Sequence, residues 1–346
     1  LISNINRAKF LPILVLSKKK GECLAELPDD IKIYDLGRKG LRDFPKLIFR
    51  LAMILMKERP RIVYSVLFHS NILSILAKSI APVSARIIIC EQISNVIYDH
   101  VNQRSLYKWL MKKLYPKADL LIAASEGVKR DLIENIGIHP DRIKVIYNPL
   151  DIEKIRMLAN EGKGDVTDNG PPLITNIGRL DIQKGHIYLL KAFSIVKRKM
   201  AAKLMIIGGG EKMDELRTLS KELGIEKDVI FAGYQRNPFK FVARSALYVN
   251  SSIFEGFGYT VVEAIALGLP VIATSCPHGP AEIIEDRKSG ILIPPADVTT
   301  MAEAMIRVLE DENLRAKLSV EGAKRAEDFS IGRIVGEYER TFMEAV

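Results

Sequence analysis

The chain alternates short apolar runs with stretches of helical spacing, and it does so twice. Nothing else in its 346 residues limits the fold as strongly. In the first half, residues 10–16, 31–36, 61–66, 86–90, 119–124 and 143–147 read as strands. They are rich in Ile, Leu and Val and lack clean polar–apolar alternation, as strands buried on both faces do. Helical spacing fills 44–57, 70–80, 104–114 and 126–136. Asn148-Pro149 closes this half. Residues 151–172 are polar, carry Gly162, Gly164, Gly170, Pro171 and Pro172, and read as a linker. The pattern then restarts, with strands at 173–177, 203–207, 228–232, 247–250, 270–273 and 290–293. Helices are expected at 185–199, 212–223, 240–245, 261–267, 298–310, 313–326 and 331–345. Repeated β-α units dictate parallel sheets with helices on both faces. The expected fold is α/β, with two doubly wound parallel-sheet domains at 1–150 and 173–330. Residues 331–346 form a terminal helix able to return to the first domain. The carboxyl edge of each sheet should face a cleft.

Composition narrows the class. An apolar content of 48% and a charged content of 27% suit a soluble globular protein. The longest apolar stretch, 47–56, is interrupted by Arg50 and is too short to span a bilayer, so it reads as a core helix. No signal peptide is recognisable. Cys23, Cys90 and Cys276 are too few and too scattered for a disulfide framework or a zinc site, which fits a reducing, cytoplasmic compartment. Residues 1–155 hold 26 Lys+Arg against 16 Asp+Glu, and the remainder 25 against 26, so the net charge of +9 lies in the first half. A basic half points to an anionic partner. No aromatic-interleaved basic motif accompanies it, so nucleic acid is not expected.

The chemistry-bearing residues follow strands of the second half. Arg179 and Lys184 lie just after 173–177, in G-R-L-D-I-Q-K-G. Arg offers a planar fork to phosphate oxygens and Lys a point charge. Gly208, Gly209 and Gly210 follow 203–207. Met213 stands where a dinucleotide fingerprint needs glycine, and the P-loop spacing also fails. After 247–250 comes E-G-F-G-Y-T-V-V-E, residues 255–263. Its glycines let a ligand approach the backbone, and its carboxylates suit hydroxyls. Thr260 and Glu263 also satisfy a capping-box pattern that needs no ligand.

Taken together, these motifs resemble the retaining, nucleotide-sugar-dependent glycosyltransferases of family four, which have two Rossmann-like domains facing across a cleft (GT-B). Both family signatures are intact, at 178–185 and 255–263, and the 264–274 and 275–283 stretches are similar to the surface-polysaccharide and lipid-linked-oligosaccharide subgroup. The resemblance implies that Gly178, Arg179 and Lys184 hold the donor diphosphate. It implies that Glu255, Gly256, Phe257, Gly258, Tyr259 and Thr260 surround the donor sugar. Glu263 would take the ribose, Gly209 and Gly210 would flank the phosphates, and Tyr234 and Gln235 would frame the base. No cofactor or metal is implied beyond a UDP- or GDP-sugar co-substrate. Glu91, Asn95 and His100 are the acceptor-side candidates, for a glycan linked to a polyprenyl diphosphate. Alternatives are a soluble sugar or sugar-phosphate acceptor, or an inactive sugar-nucleotide binder.

The 104–117 helix combines Arg104, Lys108, Lys112, Lys113 and Lys117 with Trp109, Leu106 and Leu110. Interfacial helices have this make-up, as does a helix packed on the sheet with a solvated basic face; with the basic first half, peripheral attachment to the inner face of the cell membrane is expected. The family's first strand and glycine turn have no counterpart after Leu1, and the true start is expected upstream.

Overall fold

The computed structural model describes residues 1–92, 104–161 and 170–346, without the side chains of residues 22, 23, 41 and 104. Two compact units result: Leu1–Pro149 with Ile331–Val346, and Leu150–Ser330.

The first unit holds β1 (Ile13–Leu16), β2 (Lys32–Asp35), α1 (Phe44–Glu58), β3 (Ile62–Val66), α2 (Phe68–Ile80), β4 (Arg86–Glu91), α3 (Arg104–Leu114), β5 (Leu120–Ala123), α4 (Glu126–Asp131) and β6 (Ile143–Val145). Side chains alternate across a strand with period two, and β4 shows the consequence. Ile87 and Ile89 join a core with α2, α3 and α4, while Ile88 and Cys90 join another on the opposite face. All strand pairs are parallel, but they form two sheets, β1-β2 and β3-β4-β5-β6. The parallel pairing expected above is present, divided in this unit between two sheets. Among the described residues no strand bridges β1 and β3, although Val15 and Val63 pack against one α1/α2 core.

The second unit runs α5 (Ile152–Asn160), β7 (Leu173–Ile177), α6 (His186–Lys199), β8 (Lys203–Ile207), α7 (Met213–Glu222), β9 (Val229–Gly233), α8 (Phe239–Val242), β10 (Leu247–Asn250), α9 (Tyr259–Ala266), β11 (Val271–Thr274), α10 (Pro280–Ile283), β12 (Ile291–Ile293), α11 (Val298–Glu310) and α12 (Glu312–Ala326). Its sheet is parallel, in the order β12-β11-β10-β7-β8-β9. Helices α6, α7 and α11 share one apolar core. The expected linker 151–172 starts with a helix instead: Asp151 caps α5 through the Lys154 amide, and Ile152, Ile155 and Ala159 are buried. Those three apolar residues at helical spacing outweigh the polar composition around them.

The last helix, α13 (Ile331–Glu344), packs in the first unit. Ile334, Tyr338 and Phe342 join the core of Ile88 and Ile122, and the Tyr64 and Tyr338 rings meet edge to face at 5.7 Å. Among the described residues no helix is long and apolar enough to cross a membrane.

Candidate active site

The order of the second sheet reverses between β7 and β10: β7 continues to β8 on one side, and β10 to β11 on the other. Loops leaving the carboxyl ends of two such strands diverge and leave a crevice, the usual ligand position in open α/β sheets. The loop after β7 carries Arg179 and Lys184, and the loop after β10 carries Glu255.

These loops meet through one ion pair, with Lys184 Nζ 2.6 Å from Glu255 Oε1. Both side chains are largely buried, whereas Arg179 is 73% exposed and rests beside Asp181 at 3.2 Å. Asp181 shapes the turn by accepting from the Lys184 amide. Gly185 has φ 62°, and a Cβ there would lie 2.1 Å from the Ser251 carbonyl oxygen, so the turn can seat only glycine against the β10 loop. Ser251 Oγ donates to the Lys184 carbonyl, and Ser252 Oγ donates to Glu255 Oε1, each at 2.7 Å.

Behind the pair lies a buried polar layer that sequence reasoning missed. His186 Nε2 and Asn176 Oδ1 are 2.9 Å apart, and Asn176 Nδ2 donates to the Val249 carbonyl. His186, the first residue of α6, therefore bridges β7 towards β10. Burial, then the nearby Lys184 charge, pushes its imidazole down to about 4. Thr274 Oγ1 donates to the Ser252 carbonyl and ties in β11. The available signal was that Asn250, Ser251, Ser252 and Thr274 are polar residues ending apolar runs.

The glycine turn after β8 has a backbone explanation. A Cβ at Gly208 would fall 1.9 Å from the Gly178 carbonyl oxygen, and one at Gly210 would fall 2.4 Å from that of Leu180. The two turns are also hydrogen bonded, Gly178 N to Ile207 O and Leu180 N to Gly209 O. Gly209 alone of the three faces open space.

Along 255–263, the capping-box expectation is overturned. Gly258, at φ 99°, is the residue before α9, and no side chain caps that end. Thr260 is thus the second helical residue and cannot act as the cap. Phe257 is buried and packs edge to face with Tyr259 and Phe329. Tyr259 is exposed. Glu263, one turn into α9, has its carboxyl pushed up to about 7 by burial. Gly256 lies within the buried part of the loop. Beside it, His278 at φ 67° and Gly279 at φ 84° turn the chain back onto the Phe257 carbonyl. Tyr234 is exposed just after β9, and Gln235 donates back to the Ala232 carbonyl.

On the first unit, Glu91 ends β4 fully buried and accepts from Tyr115 Oη at 2.7 Å. Asn71, Ser65 and the Cys90 carbonyl join the same polar cluster. Asn95 and His100 lie outside the described residues.

This two-unit architecture of parallel sheets is that of the GT-B glycosyltransferases. Residues 13–154 match the family model described as Glycosyltransferase Family 4, and residues 161–325 match Glycosyl transferases group 1. The chain belongs to the family-four glycosyltransferases. It is 34% identical over 236 residues to the N-acetylgalactosamine-N,N'-diacetylbacillosaminyl-diphospho-undecaprenol 4-alpha-N-acetylgalactosaminyltransferase of Campylobacter jejuni, covering 68% of this chain and 63% of that one. It is 30% identical over 200 residues to the lipopolysaccharide 1,6-galactosyltransferase of Salmonella typhimurium, covering 56% and 54%. The chain thus spans less than two thirds of the length of these curated relatives. Among solved structures it is similar to HepE of Anabaena in complex with UDP-glucose, with TM-score 0.83, 20% identity, and 96% and 91% of the two chains covered.

Proposed function

We propose that this chain is a retaining glycosyltransferase that moves a hexosyl or N-acetylhexosaminyl group from a nucleotide-sugar, UDP- rather than GDP-linked, to a glycan carried on a polyprenyl diphosphate. The observation that carries this reading is the Lys184–Glu255 pair beside exposed Arg179 at the switch point of the second sheet. HepE, similar in fold, binds UDP-glucose, and the Campylobacter relative is named for an undecaprenol-linked acceptor. Both support the finer choice of substrates.

In this mechanism the anomeric C–O bond to the donor phosphate breaks while an acceptor hydroxyl attacks from the same face. The departing phosphate oxygen takes the acceptor proton, so no protein nucleophile is used. Arg179 and Lys184 offset the charge growing on the diphosphate. One preorganised donor of this kind is worth about 3 kcal/mol. The two cations make a metal unnecessary. Glu255 orients the sugar hydroxyls, helped by Gly256 and the amides at Phe257 and Gly258. Glu263 receives the ribose hydroxyls, Gly178 and Gly209 admit the diphosphate, and Tyr234 and Gln235 border the base. The enzyme works in the cytoplasm at the inner face of the cell membrane, in cell-surface polysaccharide synthesis.

The test is transfer of radiolabelled sugar from a panel of UDP- and GDP-sugars to polyprenyl-diphosphate-linked and water-soluble glycans. The proposal expects one UDP-sugar to label the lipid-linked acceptor. Labelling of soluble acceptors alone would refute the lipid-linked reading.

A further inference from the structure

The turn that carries Arg179 and Lys184 also walls a second space. Between the first turns of α6 and α7 lies a cavity of about 240 Å³. Ile182, Ile187, Tyr188, Leu216 and Ile253 make its lining mainly apolar. Arg179, Lys184, Glu255 and Glu263 do not line it, so it is separate from the candidate donor site. A dry apolar cavity of about 150 Å³ accepts benzene, so this one has room for a single substituted ring.

His186 gives the cavity its polar character. Its side chain is buried, whereas Ile182 is 63% exposed, which puts the histidine at the closed end and Ile182 at the open one. His186 Nδ1 has no hydrogen-bond partner among the described residues. Buried polar side-chain atoms are nearly always bonded, so an orphan of this kind needs an explanation. The neighbouring asparagine sets the tautomer. Asn176 Nδ2 donates to the Val249 carbonyl, so Asn176 Oδ1 is the atom that takes the Nε2 proton of His186. Burial keeps the imidazole neutral at neutral pH. Nδ1 is then a lone pair that can only accept. Donors stand next to it. Gly185 precedes α6 without a side-chain cap, and its carbonyl takes the Tyr188 and Leu189 amides. The amides of His186 and Ile187 have no acceptor among the described residues. A hydroxyl both donates and accepts, so it answers both groups at once.

The cavity and the cationic turn share their backbone. Asp181, Ile182 and Gly185 line the space. Asp181 accepts from the Lys184 amide, and the Ile253 amide donates to the Gln183 carbonyl. A molecule held here therefore touches the turn on the side away from Glu255.

We propose that this cavity is a binding site for a compact, largely apolar molecule bearing one hydroxyl, a phenol-like ring, which donates to His186 Nδ1 and stiffens the turn carrying Arg179 and Lys184. That such stiffening serves the donor rests on the function proposed above; the binding itself does not.

The experiment titrates the full chain, ¹⁵N-labelled at histidine, with phenol and with fluorobenzene, with no nucleotide-sugar present. Fluorobenzene matches phenol in shape and lacks the donor. Phenol is expected to bind with a Kd of about 1 mM or tighter. It should move the Nδ1 resonance of His186 upfield, as an accepted hydrogen bond does, and slow amide exchange across 181–185. Fluorobenzene should leave that resonance in place. Ile253→Trp and, separately, Ile187→Trp fill the cavity from half-buried positions, and each should weaken phenol binding at least about tenfold. Melting temperatures identify a variant that fails to fold, and the other variant then decides. Four results would overturn the proposal: no phenol binding by the wild type, an Nδ1 resonance moved by neither ring or by both alike, exchange across 181–185 unchanged by bound phenol, or undiminished binding by a folded tryptophan variant. None of these measurements involves a nucleotide-sugar, so their failure is distinct from failure of the transferase reading.

Discussion

Lys184 and Glu255 are 71 residues apart in sequence, yet their charged atoms lie 2.6 Å apart. The pair joins the loops leaving β7 and β10, so it both closes the site and occupies it. Breaking a buried pair from one side costs about 3–5 kcal/mol, because the other charge is left uncompensated. Lys184→Ala should therefore lower stability measurably in a denaturant melt. Glu255→Gln also leaves the Lys184 charge uncompensated, but its carbonyl oxygen can still accept from Lys184 and Ser252, so its stability loss should be the smaller of the two. Its turnover should nevertheless fall about 100-fold or more if the carboxylate orients the sugar. Equal losses in stability and turnover would make Glu255 a structural residue.

The three glycines after β8 should separate by role. Gly208→Ala and Gly210→Ala drive a Cβ into backbone oxygens at 1.9 and 2.4 Å, and each should destabilise by several kcal/mol, roughly 3 or more. Gly209→Ala meets open space and should stay within about 0.5 kcal/mol of wild type. Its effect should appear instead as weaker nucleotide-sugar binding in a titration. Unchanged affinity would remove Gly209 from the donor site.

Glu263 makes a pH prediction with a definite sign. Its carboxyl is raised from 4.5 to about 7 in the folded chain by burial. Below 4.5 it is protonated in both states. Between 4.5 and 7 the unfolded chain releases the proton and the folded chain holds it, so this group's contribution to stability falls as pH rises. Glu263→Gln should flatten that part of the melting-temperature profile and stabilise the protein above pH 7. Donor hydroxyls favour the ionised carboxylate, so donor affinity should rise through pH 7 in wild type and not in the variant.

His186 acts in the opposite sense. Its pKa is lowered from 6.5 to about 4. Stability is therefore lost as pH falls from 6.5 towards 4, when the unfolded chain gains a proton that the folded chain refuses. His186→Gln keeps a donor for Asn176 without that proton, and its acid limb should be shallower. An unchanged limb would show that the ring is accessible to protonation in the folded chain.

The strands were legible because runs such as Ile87–Ile89 and Val271–Ala273 are apolar throughout, as two-sided burial demands. The loops of the candidate site stood out because Arg179, Lys184 and Glu255 follow such runs. Partnerships that depend on how loops fold were not legible. Nothing in the sequence pairs Asn176 with His186, or shows that Gly208 and Gly210 lie against the backbone of 178–180. Residues 47–56 read as a core helix, yet Phe49, Met53 and Met56 face solvent. A nearly continuous apolar stretch does not reveal which of its faces meets the core. Residues 255–263 misled at Thr260, because a capping pattern two residues out of phase looks the same on the page.

The central claim is that the switch point of the second sheet binds a nucleotide-sugar through Arg179 and Lys184. The direct measurement is a thermal-shift panel of UDP- and GDP-sugars on wild type and Arg179→Ala. Arg179 is exposed, so its removal should leave the unliganded melting temperature almost unchanged. One UDP-sugar should raise the wild-type melting temperature, and the increase should largely vanish in Arg179→Ala. Protection by no nucleotide-sugar, or equal protection of both proteins, would contradict the account.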